Sequence, residues 1–159
     1  MATLNVLFGT ESGNSEKLAQ SIELTGKEIL KKAGDAVKFD VVRKNLKDVK
    51  VDDLAAMDNA VIIISTWGEG DPPASAEKFC LDIYKASSPD LSKLNYTVLA
   101  MGDTAYEDFC GCGRQVDESI ARLGGKSIMD RKDMDLEFAS GFEKWSVEFF
   151  TKMAPLLKG

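Results

Sequence analysis

Four short apolar runs punctuate the chain, at residues 4–8, 37–42, 60–64 and 97–101. Their length and their Val, Ile, Leu and Phe content predict strands. Three of them are almost continuously apolar, the pattern of a strand whose two sheet faces are both covered by helices; the second alternates, as an edge strand does. Residues 127–129 offer a weaker fifth strand. Helical spacing fills the intervals. Over residues 15–32, Leu18, Ile22, Ile29 and Leu30 share one face, and Gly34 suits the left-handed turn that ends such a helix. Residues 74–85, 113–123 and 137–157 repeat the pattern, and residues 51–57 give only a short helical turn. Strands alternating with helices predict βαβ units with right-handed crossovers, hence an α/β fold. No repeat, low-complexity tract or linker interrupts the order, so residues 1–159 are read as one domain.

In a parallel sheet of this kind ligands bind beyond the carboxyl ends of the strands. Three loops occupy those positions. The first, Gly9-Thr10-Glu11-Ser12-Gly13-Asn14-Ser15, runs from a strand directly into a long helix. Hydroxyls of Thr10, Ser12 and Ser15, a close-approaching backbone at Gly13 and the unpaired N–H groups of the helix start suit a phosphate. The same residues also make an ordinary turn and cap. The loop lacks the Gly-Lys-Ser/Thr ending of a triphosphate loop and the three-glycine dinucleotide fingerprint. The second loop, Ser65-Thr66-Trp67-Gly68-Glu69-Gly70-Asp71-Pro72-Pro73, places a tryptophan among hydroxyls and glycines. It either faces a ligand or folds back on its own turn. The third loop, Gly102-Asp103-Thr104-Ala105-Tyr106-Glu107-Asp108-Phe109-Cys110, again carries aromatics past a strand end. Trp67 and Tyr106 could clamp a flat heterocycle between them, while Phe109 and Cys110 also read as partly core.

Composition narrows the chemistry. Hydrophobic residues at 44% and charged residues at 29% describe an ordinary globular chain. A formal charge of −6 disfavours nucleic-acid backbones and anionic lipid surfaces and favours partners with basic faces. The chain has no histidine, which removes the commonest general base and every His-dependent triad. Cys80, Cys110 and Cys112 are not spaced for zinc and read as reduced thiols. The first residues lack a basic stretch followed by an apolar segment, and no apolar run approaches a membrane span, so a cytoplasmic, monomeric protein is expected.

The phosphate-type loop, Thr66-Trp67-Gly68 and the Gly102-Asp103 to Tyr106 stretch, in this order, resemble the flavodoxin family over essentially the whole chain. Gly68-Glu69-Gly70-Asp71-Pro72-Pro73 and Leu123-Gly124-Gly125 to Asp130-Arg131 are closer to the flavodoxin-like domains of diflavin reductases, such as the sulfite reductase flavoprotein. Trp67 with Tyr106, and the lack of a long insertion near the last strand, resemble free-standing short-chain members. The resemblance implies a three-layer sandwich around a five-stranded parallel sheet of order 2-1-3-4-5, with helices on both faces. It also implies non-covalent FMN. Thr10, Glu11, Ser12, Gly13, Asn14 and Ser15 would wrap its phosphate. Ser65, Thr66, Trp67, Gly68, Glu69, Gly70, Gly102, Asp103, Tyr106, Phe109 and Cys110 would surround the ring, with Trp67 and Tyr106 flanking it and the Gly68 carbonyl answering its N5. Ser12 and Ser15 stand where relatives often have Thr, which keeps the hydroxyl; Asp108 replaces an aromatic found in some. The implied role is a low-potential one-electron carrier that alternates between semiquinone and hydroquinone. Its partners would be flavin- or iron-sulfur-containing reductases and acceptor redox proteins with basic docking faces. An FMN-dependent reductase of a small substrate would need an added pocket, and no inserted loop is visible to form one. A module of a diflavin-type reductase system stays open, as does a flavin-free interaction module. A signalling receiver domain would want acidic residues where Gly9-Thr10 and Ser65-Thr66 stand.

Overall fold

The computed structural model describes residues 2–9, 13–33, 39–66, 72–102, 110–135 and 139–157. Strand β1 (Ala2–Gly9) leads into α1 (Asn14–Ala33), followed by β2 (Phe39–Asn45), β3 (Asn59–Ser65), α2 (Glu77–Tyr84), β4 (Asn95–Met101) and α3 (Gly111–Arg122). Two short strands, β5 (Lys126–Ser127) and β6 (Lys132–Met134), precede α4 (Ala139–Leu157). All strand pairs are parallel, in the order β2-β1-β3-β4-β5, and β6 pairs β4 as well.

The apolar runs become the inner strands because each residue parity has its own helical layer to meet. Leu4, Val6 and Phe8 of β1 pack with Val61, Ile63 and Leu99 against Leu18 and Ile22 of α1 and Trp145, Phe149 and Met153 of α4. Leu7, Ile62, Ile64 and Val98 point the other way, onto Phe79, Cys80 and Ile83 of α2 and Cys112, Val116 and Ile120 of α3. The result is the expected three-layer sandwich. The alternating strand β2 is the sheet edge, as its pattern predicts.

The fifth position departs from a single continuous strand. β5 pairs with Asn95 and Tyr96, and β6 with Leu99 to Met101, so two fragments share one side of β4. The Thr97 hydroxyl bridges the gap by donating to the Met129 carbonyl at 3.1 Å. The segment between breaks away because Arg131 is drawn aside: its Nε meets Asp133 at 2.8 Å, and its guanidinium lies 3.6 Å from Asp117 on α3. Asp117 also accepts from the Tyr96 hydroxyl at 2.8 Å. A second departure is the 74–85 helix, which starts as a 3-10 turn at Ala74–Ala76 before α2 proper. Gly34 and residues 37–38 of the expected second strand lie outside the described residues.

The amino ends of the inner strands are fixed by side-chain amides. Asn5 Nδ2 donates to the Asn59 carbonyl at 3.0 Å, and Asn95 Nδ2 donates to Asn59 Oδ1 at 3.3 Å. A one-residue slip of β1, β3 or β4 would strand these buried amides, so the ladder sets register where apolar packing alone tolerates error.

Candidate functional site

The strand order reverses direction at β1 and β3, and the crevice outside their carboxyl ends is where such a sheet accepts a ligand. Register brings the relevant ends level: Gly9 lies opposite Ile64, and Ser65 opposite Met101. The flanks of all three candidate loops therefore start from one end of three neighbouring strands.

At the first, Gly13 caps α1. Its carbonyl accepts from the Lys17 N–H at 3.0 Å, and its φ of +91° belongs to the left-handed region that glycine adopts without cost. A Cβ placed there would meet nothing within 4 Å among the described residues. The N–H groups of Asn14, Ser15 and Glu16 precede any partner within the helix and carry the positive end of its dipole. The structure modifies the part given to Ser15. Its side chain is fully buried and its hydroxyl donates to Met101 Sδ at 3.7 Å, so towards an anion it presents its amide. Thr10, Glu11 and Ser12 lie outside the described residues.

At the second, Ser65 Oγ is buried with no hydrogen-bond partner among the described residues. Thr66 is the opposite case, fully engaged: its N–H donates to the Met101 carbonyl at 2.9 Å and its Oγ1 accepts from the Cys112 N–H at 2.9 Å. One threonine thus ties the exit of β3 to β4 and to the first turn of α3. Trp67, Gly68, Glu69, Gly70 and Asp71 lie outside the described residues. Thr66→Val removes the acceptor and leaves a buried N–H unpaired, which is expected to cost about 1–3 kcal/mol of stability, read from urea unfolding. Thr66→Ser keeps the oxygen and restores most of that loss. Any weakening of FMN binding by Thr66→Val beyond this would show as a raised Kd in fluorescence titration of the folded protein.

At the third, the Gly102 N–H donates to the Met134 carbonyl at 2.9 Å, which joins the end of β4 to β6. Asp103, Tyr106 and Phe109 lie outside the described residues. Cys110 is the N-cap of α3 with φ of 57°, and its thiol is turned into the core, 3.6 Å from the Ala100 carbonyl and 3.9 Å from that of Met134. Burial, with the nearby Asp133 charge, pushes this thiol up to about 12. Cys110 can therefore meet a ligand only through its backbone. Met101, Met134 and Cys112 also organise the site, and no local signal in the sequence marks them, because their bonds to Ser15, Gly102 and Thr66 span from 32 to 86 residues.

A buried hydroxyl with no partner among the described residues, at the same sheet end as a helix start whose first N–H groups have no intrahelical partner, fits a ligand with an anionic group and further polar atoms. The residues present thus fit a mononucleotide such as FMN. Among the described residues no group of three or more side chains could hold a metal ion, and no helix is long and apolar enough to cross a membrane.

A doubly wound parallel sheet of order 2-1-3-4-5, with its switch point between β1 and β3, is the flavodoxin-like architecture. The chain belongs to the flavodoxin family, whose profile, described as Flavodoxin, matches residues 6–145. With the family come its cofactor, FMN, and its chemistry, electron transfer. Relatives include the sulfite reductase [NADPH] flavoprotein alpha-component of Bacillus subtilis strain 168, 36% identical over 89% of this chain. The protein of that name from Neisseria meningitidis serogroup A is 32% identical over 98% of this chain. The chain spans 22% and 24% of the length of these two relatives. Among solved structures, the flavodoxin of Streptococcus pneumoniae TIGR4 superposes with a TM-score of 0.78 at 23% identity, over 97% of this chain and 99% of that one. A cysteine-to-serine variant of the flavodoxin from Pseudomonas aeruginosa gives 0.75 at 24% identity, over 99% of each chain. These structures share the fold.

Proposed function

We propose that the protein carries electrons singly between larger redox proteins, as a carrier rather than a catalyst of small-molecule turnover. The observation that supports this most directly is the meeting of three loop origins at one sheet end, with Ser65 Oγ unpartnered among the described residues. In this reading Thr10, Ser12 and the amides of Gly13, Asn14 and Ser15 hold the FMN phosphate. Trp67 and Tyr106 cover the two faces of the ring and exclude water, and the backbone around Asp103 meets its pyrimidine side. When bound, FMN supplies the redox chemistry, and the protein's part is to set the energy of each electron step. Gly68 contributes a carbonyl acceptor on a peptide that can rotate without a Cβ clash. Glu69, Asp71, Asp103, Glu107 and Asp108 surround the ring with negative charge and disfavour a further negative charge on it, which lowers the potential of the last step.

The same carboxylates, on a chain of net charge −6, favour partners with basic docking faces and fast, salt-sensitive encounters. The partner class proposed is a flavin- or iron-sulfur-containing reductase and its acceptor. Identity of 36% to one component of a sulfite reductase also supports service in a diflavin-type reductase system. Location in the cytoplasm suits either role.

Anaerobic reductive titration of the FMN-loaded protein tests the proposal. Long-wavelength absorbance that rises to half reduction and then falls is expected; reduction in one two-electron step, with no such rise, overturns single-electron carriage. Gly68→Ala is expected to weaken formation of the half-reduced state by about tenfold in its equilibrium constant, the equivalent of one lost hydrogen bond, read as a smaller rise in that absorbance, while the FMN Kd changes far less. Equal losses in both would remove Gly68 from the role given to it.

A further inference from the structure

Cys80 and Cys112 meet between α2 and α3, on the sheet face opposite α1 and α4. Their Sγ atoms are 3.5 Å apart, and both residues are fully buried. A third group completes the cluster: the Tyr84 hydroxyl, one helical turn beyond Cys80, donates to Cys112 Sγ at 3.3 Å. Two thiols in contact need to close by only ~1.5 Å to reach a disulfide bond length of ~2.05 Å. We propose that Cys80 and Cys112 are a site of oxidative modification, which hydrogen peroxide converts into an intramolecular disulfide fastening α2 to the first turn of α3.

The two sulfurs have different parts in this reaction. Cys112 lies in the first turn of a helix of 12 residues, accepts from the Tyr84 hydroxyl and shares a contact with Cys80 in which either sulfur can be the donor. The hydrogen bond shared with Cys80 lowers its thiol from the ordinary value, burial opposes this, and the Tyr84 bond lowers it further. The same contact, with burial and the Cys112 charge, raises Cys80. Cys112 is therefore the attacking sulfur and Cys80 the resolving one. Cys112 sulfur attacks one peroxide oxygen, the O–O bond breaks, and the first water leaves, with Cys112 as its sulfenic acid. Cys80 sulfur then attacks Cys112 sulfur, the S–O bond breaks, and the departing hydroxide takes the Cys80 proton as the second water. Two thiols and one peroxide give one disulfide and two waters: the thiols lose the two electrons that the peroxide gains. Tyr84, half-buried, is the member of the trio that reaches the surface.

The experiment uses the FMN-loaded protein. Peroxide is added, quenched with catalase, and thiols are counted after unfolding in urea. The three free thiols should fall to one, return to three with dithiothreitol, and yield a single cross-linked peptide joining Cys80 to Cys112. Cys80→Ser should form no bridge and should instead trap dimedone at Cys112. Tyr84→Phe should slow bridging about tenfold, the effect of one lost hydrogen bond on the attacking sulfur. A count that stays at three in the native protein, or a bridge that includes Cys110, overturns the proposal whatever the variants do.

Discussion

Gly113→Ala is expected to destabilise the protein by about 3 kcal/mol and to loosen the FMN site with it. A Cβ at this position would overlap Ala100 Cβ and sit 3.2 Å from Ala100 Cα, and both atoms belong to a fully buried residue of β4. Neither can swing aside as the tip of a long side chain would. Carbon atoms pack best at ~3.5–4.0 Å, so α3 must move off β4 by roughly 1 Å or more. The residue before Gly113 is Cys112, whose N–H holds Thr66 Oγ1. Displacement of α3 therefore pulls on the exit of β3, from which Trp67 and Gly68 extend. Urea unfolding should show the lost stability, and fluorescence titration of the folded fraction should show a raised FMN Kd. A Gly113→Ala protein that unfolds and binds FMN like its parent would mean that α3 does not press on β4 as described.

Phe149→Ala is expected to cost more stability, about 3–5 kcal/mol, and to leave the site alone. Phe149 is fully buried in α4, stacked on Trp145 with centroids 5.1 Å apart and rings 7° from parallel, and edge-on to Phe150 at 5.1 Å. Truncation leaves a cavity between helix and sheet that neighbours as stiff as these rings do not fill. For a domain whose whole stability is typically ~5–15 kcal/mol this is a large fraction, and a lower thermal midpoint should reveal it. The Thr66–Cys112 tie lies on the α2–α3 side of the sheet, so FMN affinity of the folded protein should stay within about twofold. The pair of variants separates the α3 contact that holds the exit of β3 from the α4 packing that holds the fold.

Much of this was open to a reader of the sequence. Runs such as 60–64 are apolar at both parities, and only a strand covered on both faces makes use of that; hence β3, buried throughout to Ile64. The spacing of Leu18 and Ile22 likewise places α1 on the sheet, where both residues are buried. The fifth strand was less legible. Its residues are mostly polar, and pairing with β4 is maintained by Thr97 and by backbone bonds while Arg131 turns to Asp117 and Asp133. No periodicity records an ion pair with another element.

The same division runs through the site. Residue types and their order along the chain determined the fold class, the strand ends that matter and the kind of ligand, because hydrophobic period and turn chemistry are local properties. Tertiary structure alone decided that the Ser15 hydroxyl faces Met101, that Thr66 serves as a tie between three elements, that Cys110 turns inward and that Cys80 meets Cys112. Each of these depends on which atoms of distant segments arrive at one point when the sheet closes, and hydrogen bonds and sulfur contacts are settled over a few ångströms that no spacing along the chain encodes.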